Sequence, residues 1–504
     1  MSFTKYESRR TIFAVLCKCS FENFKNTLVM KKTKHLRHVL TLVAVAFLLP
    51  FLGKTQTETV LKIDALMSEA VAKDLFSGNV LITENGKTVY EKPFGKADIA
   101  KNVANTLETR FQIASLTKLP AKILVLQLIE EKKLSLDAPL SNFLEGFAEN
   151  VGKNVTIAHL LNHQSGFGQY NERDDFMENR RNVHVISDLL PFIRQEKLLF
   201  EPGSRSEYSN SGYVVLAAII EKITGKSYGE NLKTRIFQRL DMNDSDFSVV
   251  KSAAPKLAVG YVTRQVGAKR SNENLDMVAG GDGGIFMTVK DFSKLDESIF
   301  TDNKLLSDDS KAQLFKLPLS NSTSSWADFQ AKARFAIGGG APGISTIYSK
   351  DASKRRSIIV FSNYDEGSSE EIARRLSAIL NGDTPQSLRV PLGRFLYDML
   401  TTKGAAYFSE NATSDLEKAA YKLDDDMILL FVGQQLLEEK RADEAIALYQ
   451  MYTTEFPRIV VAWNDFGDAF LLKNNKTEAK KCFERALKLR PANRRAKEML
   501  QKLN

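Results

Sequence analysis

Ser115 and Lys118 stand three residues apart where a short strand-like run, Thr109 to Ala114, gives way to apolar residues at helical spacing from Leu119 through Leu128 to Leu134. Three residues is close to one helical turn, so the hydroxyl and the amine share a face and lie within reach of each other. A serine hydroxyl is a poor nucleophile near neutral pH. A lysine can deprotonate it when burial or a neighbouring cation keeps the amine neutral. At a helix start, the unpaired amides and the positive dipole end also favour an anionic serine oxygen. The pair therefore asks for a strand, a turn and a buried helix, with Ser115 where the helix begins. By itself S-x-x-K is a common accident, and a capping serine beside a solvated lysine is its plain alternative. Tyr208, Ser209 and Asn210 add a phenol and a carboxamide downstream. A phenol and an amine forced together perturb each other's pKa, which supplies an acid and a base in one cluster. Taken alone, Tyr208 reads as an amphipathic rim residue and Asn210 as turn chemistry in Ser-Asn-Ser-Gly.

Further segments fall in line with these two. They are Leu160-Leu-Asn-His-Gln-Ser-Gly166, Pro202-Gly203 ahead of Tyr208-Ser-Asn-Ser-Gly-Tyr213, and Ala279-Gly-Gly-Asp-Gly-Gly284 followed by Met287-Thr288 and Asp291. As a set, over roughly residues 59 to 380, they resemble the serine β-lactamase and penicillin-binding protein superfamily. The resemblance is to its class C-like branch of β-lactamases, D-alanyl-D-alanine carboxypeptidases, aminopeptidases and esterases. It implies an α/β fold, an antiparallel sheet flanked by helices with a helical subdomain. It further implies that Ser115 is acylated, that Lys118 and Tyr208 exchange its proton, and that Asn210 hydrogen-bonds Lys118 and the substrate. It implies too that Gly339 and Gly340 are the substrate-binding glycines, with the amides of Ser115 and Gly340 as the oxyanion hole. No cofactor and no metal are expected.

The chain departs from the family at the third motif. Relatives carry Lys-Thr-Gly or His-x-Gly on the strand beside the nucleophile, and here the stretch reads Ala336-Ile-Gly-Gly-Gly-Ala-Pro-Gly343. Ile337 in the cation position removes a charge-assisted contact worth roughly 1.5–3 kcal/mol, which penalises anionic β-lactams and peptide C-termini most. The glycines still let a substrate backbone approach closely. Neutral esters or amides remain feasible, and some esterases of the family also lack the basic residue. Arg334 is no substitute, because strand alternation puts positions 334 and 337 on opposite faces.

Rival chemistries lack support. The chain has five histidines, of which His35 and His38 lie in the leader, while His159, His163 and His184 have no metal-ligand spacing. His163 reads as a structural residue at a helix end. There is no H-E-x-x-H, no Gly-x-Ser-x-Gly and no phosphate-loop pattern to accompany Gly338-Gly-Gly340.

At 504 residues with 43% hydrophobic content, the chain is long enough for several domains with sizeable cores. Met30-Lys-Lys-Thr-Lys-His-Leu-Arg37 is a basic run, and Val39 to Leu49 an apolar one of signal-peptide length, ended by Pro50 and Gly53. The apolar run is shorter than the ~20 residues of a membrane span, so the leader is read as cleaved and its membrane contact as transient. Translation is read as starting at Met30. Residues 1–53 hold nine Lys and Arg against two Asp and Glu, so their removal takes the formal charge from +9 to about +2. The basicity is therefore no argument for nucleic acid. Cys17 and Cys19 leave with the leader, and Cys482 alone forms no internal disulfide. Export without disulfides fits a bacterial periplasm.

Within the enzyme region the spacing predicts a helix near Val60 to Lys73 and a hairpin, Val80 to Thr83 and Thr88 to Tyr90, turned at Asn85-Gly86. It also predicts a strand at Ile358 to Phe361 and a helix from Ser369 to Leu380. A connector over 382–425 is expected to be helical around Leu392 to Leu400 and looser around Lys403 to Ser414. Beyond it, Gly433 and Gly467, Ala445 and Ala479, Tyr449 and Phe483, and Pro457 and Pro491 each lie 34 residues apart, the tetratricopeptide period. The domains are thus a leader at 1–53, a β-lactamase-like serine hydrolase at 54–381, the connector, and all-α tetratricopeptide-like repeats with a cap helix at 426–504. The chain reads as an exported serine hydrolase acting on an ester, amide or β-lactam bond of a small-molecule or peptide substrate, with the repeats open to a protein partner. The alternative is a catalytically silent module that presents the repeats.

Overall fold

A computed structural model describes residues 57–250, 255–262, 266, 269–275, 278–316, 326–365 and 367–503. The chain divides into two units, 1–62 and 63–504. The expected leader and signal peptide lie outside the described residues. The larger unit holds the sheet, its helices and an all-helical C-terminal region.

After a helical stretch at 63–72 comes the hairpin β1 (Gly78–Glu84) and β2 (Lys87–Phe94). Asn85 (φ 53°) and Gly86 (φ 72°) both take the left-handed conformation that a two-residue hairpin requires. The next long element is α1 (Lys118–Glu130), followed after several short turns by α2 (Ser211–Thr224) and α3 (Val289–Thr301). Strands β3 (Arg334–Ala341), β4 (Ile344–Asp351) and β5 (Arg356–Ser362) precede α4 (Ser368–Leu380). The sheet is antiparallel in the order β3-β4-β5-β1-β2, so the chain's late strands join its first hairpin through β5 and β1.

Every residue of β5 is buried, as expected of a central strand covered on both faces. Ile359 and Phe361 belong to the main core, where Phe292 of α3 meets the rings of Phe361 and Tyr348 edge-on at 5.7 and 5.1 Å. A buried Asp296–Lys350 ion pair, with Nζ to Oδ1 at 2.9 Å, ties α3 to β4, and the Tyr348 and Ser357 hydroxyls complete its hydrogen bonding. Between the first and last sheet segments lies the helical subdomain, in which α2 packs on α1.

Helix α1 has no exposed face from Lys118 to Leu128. It is a core helix rather than an amphipathic surface one, which is why an apolar run this continuous can be helical. It ends at Glu130, so the stretch on to Leu134 is turn.

A second, all-helical region completes the unit. It comprises α5 (Leu392–Lys418), α6 (Asp426–Glu438), α7 (Ala442–Glu455), α8 (Val460–Leu472), α9 (Lys476–Leu489) and α10 (Arg494–Leu503). Residues 403–414, expected to be looser, are helical. Phe408, Ala412 and Leu416 contribute to the region's core, and only Gly404 (φ 88°) breaks the helical path. Glycines 34 residues apart play the same part. A Cβ on Gly433 would lie 2.5 Å from the Tyr449 ring, and one on Gly467 would lie 2.7 Å from Phe483. The region docks on the sheet-bearing part. Arg394 donates to the carbonyls of Lys73 and Asp74, Arg270 pairs with Glu438 at 2.7 Å, and Val266 is buried among Leu396 and Val432.

One residue of α1 opposes the fold. Lys122 is 3% exposed and has no acidic partner among the described residues, and burial, then the charge on Lys118, pulls its amine down to about 7. The unfolded chain therefore holds a proton between pH 7 and the ordinary lysine value near 10.5 that the folded chain has shed, so stability rises with pH across that window. Lys122→Met should raise the unfolding free energy at pH 7 by on the order of 2–4 kcal/mol, with the advantage shrinking towards pH 10. Urea denaturation at pH 7, 8.5 and 10 measures it, and an equal or lower stability of the variant at pH 7 contradicts this account.

Candidate active site

The turn that presents Ser115 is built by two constraints. Phe111 and Gln112 pair with Met287 and Phe286 in a small sheet that ends just before Ser115, with the Ile113 amide on the Ile285 carbonyl at 3.0 Å. Ala114 then takes φ 44°, a conformation costly for a residue with a Cβ, and leads into a 3₁₀ turn, Ala114–Thr117, continuous with α1. Ser115 thus sits one turn earlier than the α-helix proper. Strand β3 crosses directly beneath it. A Cβ on Gly339 would stand 2.5 Å from the Ile113 carbonyl and 3.0 Å from the Ser115 amide, so glycine alone permits this approach.

The side chains named from sequence converge. The Ser115 and Tyr208 hydroxyls are 2.6 Å apart. Lys118 Nζ donates to Ser115 Oγ at 3.2 Å, to Asn210 Oδ1 at 2.8 Å and to the Asp282 carbonyl at 3.0 Å. The same ammonium lies 4.8 Å from the centre of the Tyr208 ring and 5.4 Å from that of Tyr213. Lys118 is 6% exposed, whereas Tyr208 is 48% exposed, so the amine is enclosed and the phenol faces the solvent side. Beside Ser115 opens a cavity of about 460 Å³ whose lining includes Ser115, Asn210 and Gly340. Gly340 has open space around its α-carbon, while Gly339 is buried under the turn and does not line the cavity.

Ile337 is half-buried against the main core, and it too is absent from the cavity wall. Arg334 points elsewhere and pairs with Asp351 at 3.0 Å.

Several further residues support the cluster: His163 reads from sequence as structural at a helix end, whereas Gln169, Tyr170 and Glu196 carry no local sequence signal. His163, with φ 56° just past the helix Ile157–Leu161, stacks its ring on Tyr208 at 4.7 Å and accepts the Ser209 amide on Nδ1 at 3.1 Å. Burial, followed by the charges of Lys122 and Lys118, holds its imidazole down at about 3, so it is neutral and able to accept that bond at neutral pH. Gln169 spans the Tyr208–Asn210 segment, donating to the Tyr208 carbonyl at 2.8 Å and accepting from the Asn210 amide at 3.3 Å. Glu196 takes the Ser211 hydroxyl at 2.5 Å and the Gly168 amide at 2.8 Å, and burial raises its carboxyl. Tyr170 donates to Asp282 Oδ2 at 3.2 Å, which holds the loop whose carbonyl receives Lys118. Among the described residues, no cluster of three or more His, Cys, Asp or Glu is placed to hold a metal ion.

Comparison with known proteins places the chain in a family. The chain is 33% identical over 223 residues to the teichoic acid D-alanine hydrolase of Staphylococcus aureus (strain MRSA252), a match over 44% of this chain and 53% of that protein. It spans about half the length of the curated relatives it matches. Among solved structures, it is similar to a penicillin-binding protein from Bacillus halodurans, with TM-score 0.54, 26% identity and coverage of 62% of this chain and 99% of the other. It is also similar to FmtA from Staphylococcus aureus, with TM-score 0.53, 25% identity and coverage of 66% and 89%. The Beta-lactamase family model matches residues 63–381, the stretch that holds Ser115, Lys118, Tyr208 and Asn210, and the chain belongs to that family.

Proposed function

We propose that this chain is an exported serine hydrolase that cleaves D-alanyl esters or amides through an acyl-enzyme on Ser115. The observation that carries the reading is the triangle of Ser115, Tyr208 and Lys118, with an enclosed amine and a hydroxyl opening on a cavity. The Ser115 proton passes to the Lys118 amine as Oγ attacks the acyl carbon, and Tyr208 gives its phenol proton to the departing alcohol or amine and regains one from Lys118. The Ser115 and Gly340 amides receive the oxyanion. Water then enters along the same path and releases the acid, with the proton moving back through the same pair. Asn210 holds the Lys118 amine towards Ser115 and away from solvent.

The acyl group is suggested by the relative named for D-alanine hydrolysis, and neutral carbonyl substrates are suggested by Ile337 in place of a cation. The basic, apolar leader supports export, and the glycine and aromatic pairs 34 residues apart support reading the C-terminal helices as tetratricopeptide-like, with a protein partner as their ligand. The silent-module reading has Ile337 in its favour, and turnover decides between the two.

Release of D-alanine from a D-alanyl ester is the test. Wild type should turn over, Ser115→Ala should not, and Lys118→Ala should lose roughly 10³-fold or more in kcat with the fold retained by circular dichroism. Full turnover by Ser115→Ala, or a loss below about tenfold for Lys118→Ala, overturns the assignment. Gly339→Ala tests the close approach of β3. The added methyl should push the nucleophile turn out of register, lowering kcat/KM by roughly 100-fold and costing about 1–3 kcal/mol of stability. Unchanged kinetics would mean that the turn does not rest on the strand.

A further inference from the structure

We infer that the C-terminal helical region is a working part of the Ser115 site, because Val266 and Asn272 link its core to the β3–β4 turn that forms one wall of the cavity. Asn272 is then a positioning residue for the Gly340 amide, a role that rests on the hydrolase reading.

That wall is built around a turn in need of outside support. Ala341 pairs with Ile344, so Pro342 and Gly343 alone connect β3 to β4. Proline holds φ at roughly −65°, and Gly343 takes φ 74°, the combination that a type II turn requires. In a two-residue hairpin such a turn splays the strands, because its twist opposes theirs. Here the peptide between the two residues is gripped at both ends. The Pro342 carbonyl accepts from Asn272 Nδ2 at 3.1 Å, and the Gly343 amide donates to Asp365 Oδ2 at 3.2 Å. Gly340, Ala341, Pro342 and Ile344 all line the cavity beside Ser115, so the set of this turn is the set of the wall.

The two grips are anchored differently. Asp365 comes three residues after the central strand β5 and belongs to the sheet's own framework. Asn272 is 8% exposed and directly follows a two-stranded ribbon in which Tyr261 pairs with Ser271 and Val262 with Arg270. Its Oδ1 accepts the Gly260 amide at 3.1 Å, and its own amide donates to the Gly260 carbonyl at 2.8 Å. Ribbon and turn meet backbone to backbone. A Cβ on Gly260 would lie 2.5 Å from the Gly343 carbonyl oxygen, and one on Gly343 would lie 2.6 Å from the Gly260 carbonyl carbon. A contact this close has no slack, so a displacement of the ribbon passes to the turn.

The ribbon's other anchor is the helical region. Val266 lies between the paired strands in sequence and is 6% exposed, in the core that also holds Leu396 of α5 and Val432 of α6. A Cβ on Gly393 of α5 would lie 3.6 Å from Val266 Cγ1. Arg270 and Glu438 of α6 pair at 2.7 Å, but both side chains are exposed and the pair contributes little. The buried valine carries the link. One of the two grips on the cavity turn is therefore set by helices outside the family-matched stretch of residues 63–381.

Full-length variants are compared for kcat and KM on a D-alanyl ester and for deuterium exchange of the peptide spanning 338–344. Asn272→Ala and Asn272→Asp each remove the donor to Pro342. Each should lower kcat about 10–100-fold with KM within about twofold, since a displaced oxyanion donor is felt in the transition state. Val266→Ala and Val266→Asp should lower kcat in graded fashion, by about threefold and about tenfold. All four should speed exchange at 338–344 while a peptide within α1 keeps its protection. Wild-type kcat and wild-type exchange in both Val266 variants overturn the inference, as does a loss of protection in α1 equal to that at 338–344, which is general loosening. Lack of Ser115-dependent release by the wild type overturns the hydrolase reading, and the exchange comparison then decides the link by itself.

Discussion

The interaction on which the site depends is the capture of the Lys118 ammonium by groups from three stretches of chain, its own turn, the run that enters α2 and the glycine-rich loop. Ser115 comes from the nucleophile turn, Asn210 and the Tyr208 ring from the segment before α2, the Tyr213 ring from α2 itself, and the Asp282 carbonyl from the glycine-rich loop. Burying an amine without partners is costly, so closing these stretches on one point favours packing of the sheet-bearing part. Catalytic geometry and folding are thereby coupled. The outer supports arise from the same need, since Gln169, Glu196 and Tyr170 each fix a loop that presents one of the acceptors.

The surroundings of that amine are more cationic than a folded core favours. Lys122 comes one turn later on α1 without an acid to pair with, and His163 is kept neutral by burial and by both lysines. A neutral His163 can stack on Tyr208 and accept the Ser209 amide, whereas a protonated one would lose the acceptor. Stability given up around α1 and the placing of Tyr208 are thus two effects of one buried cluster.

Much of this was legible because the chemistry depends on short spacings. Ser115 and Lys118 lie one turn apart, Tyr208 and Asn210 share a segment, and Asn85-Gly86 forms the hairpin turn that its residue types demand. The alternation that put Arg334 and Ile337 on opposite faces of β3 also holds, with Arg334 paired to Asp351 and Ile337 against the core. The long-range contacts were not legible. His163 stacking on Tyr208 spans 45 positions, and Tyr170 reaching Asp282 spans 112. Lys118 takes the backbone carbonyl of Asp282, which no residue type advertises. The helix through 403–414 was missed because Gly404 and the polar residues after it read as loop. Burial of Phe408, Ala412 and Leu416 against neighbouring helices outweighs that local preference.

The central claim is that Ser115 becomes acylated. Wild type and Ser115→Ala are incubated with a nitrophenyl ester and a fluorescent penicillin, quenched in acid, and read by intact mass and peptide mapping. The account predicts an adduct of one acyl group on the peptide containing Ser115 in wild type and none in the variant. An adduct on another residue, or no adduct on a folded wild-type protein with either probe, contradicts it.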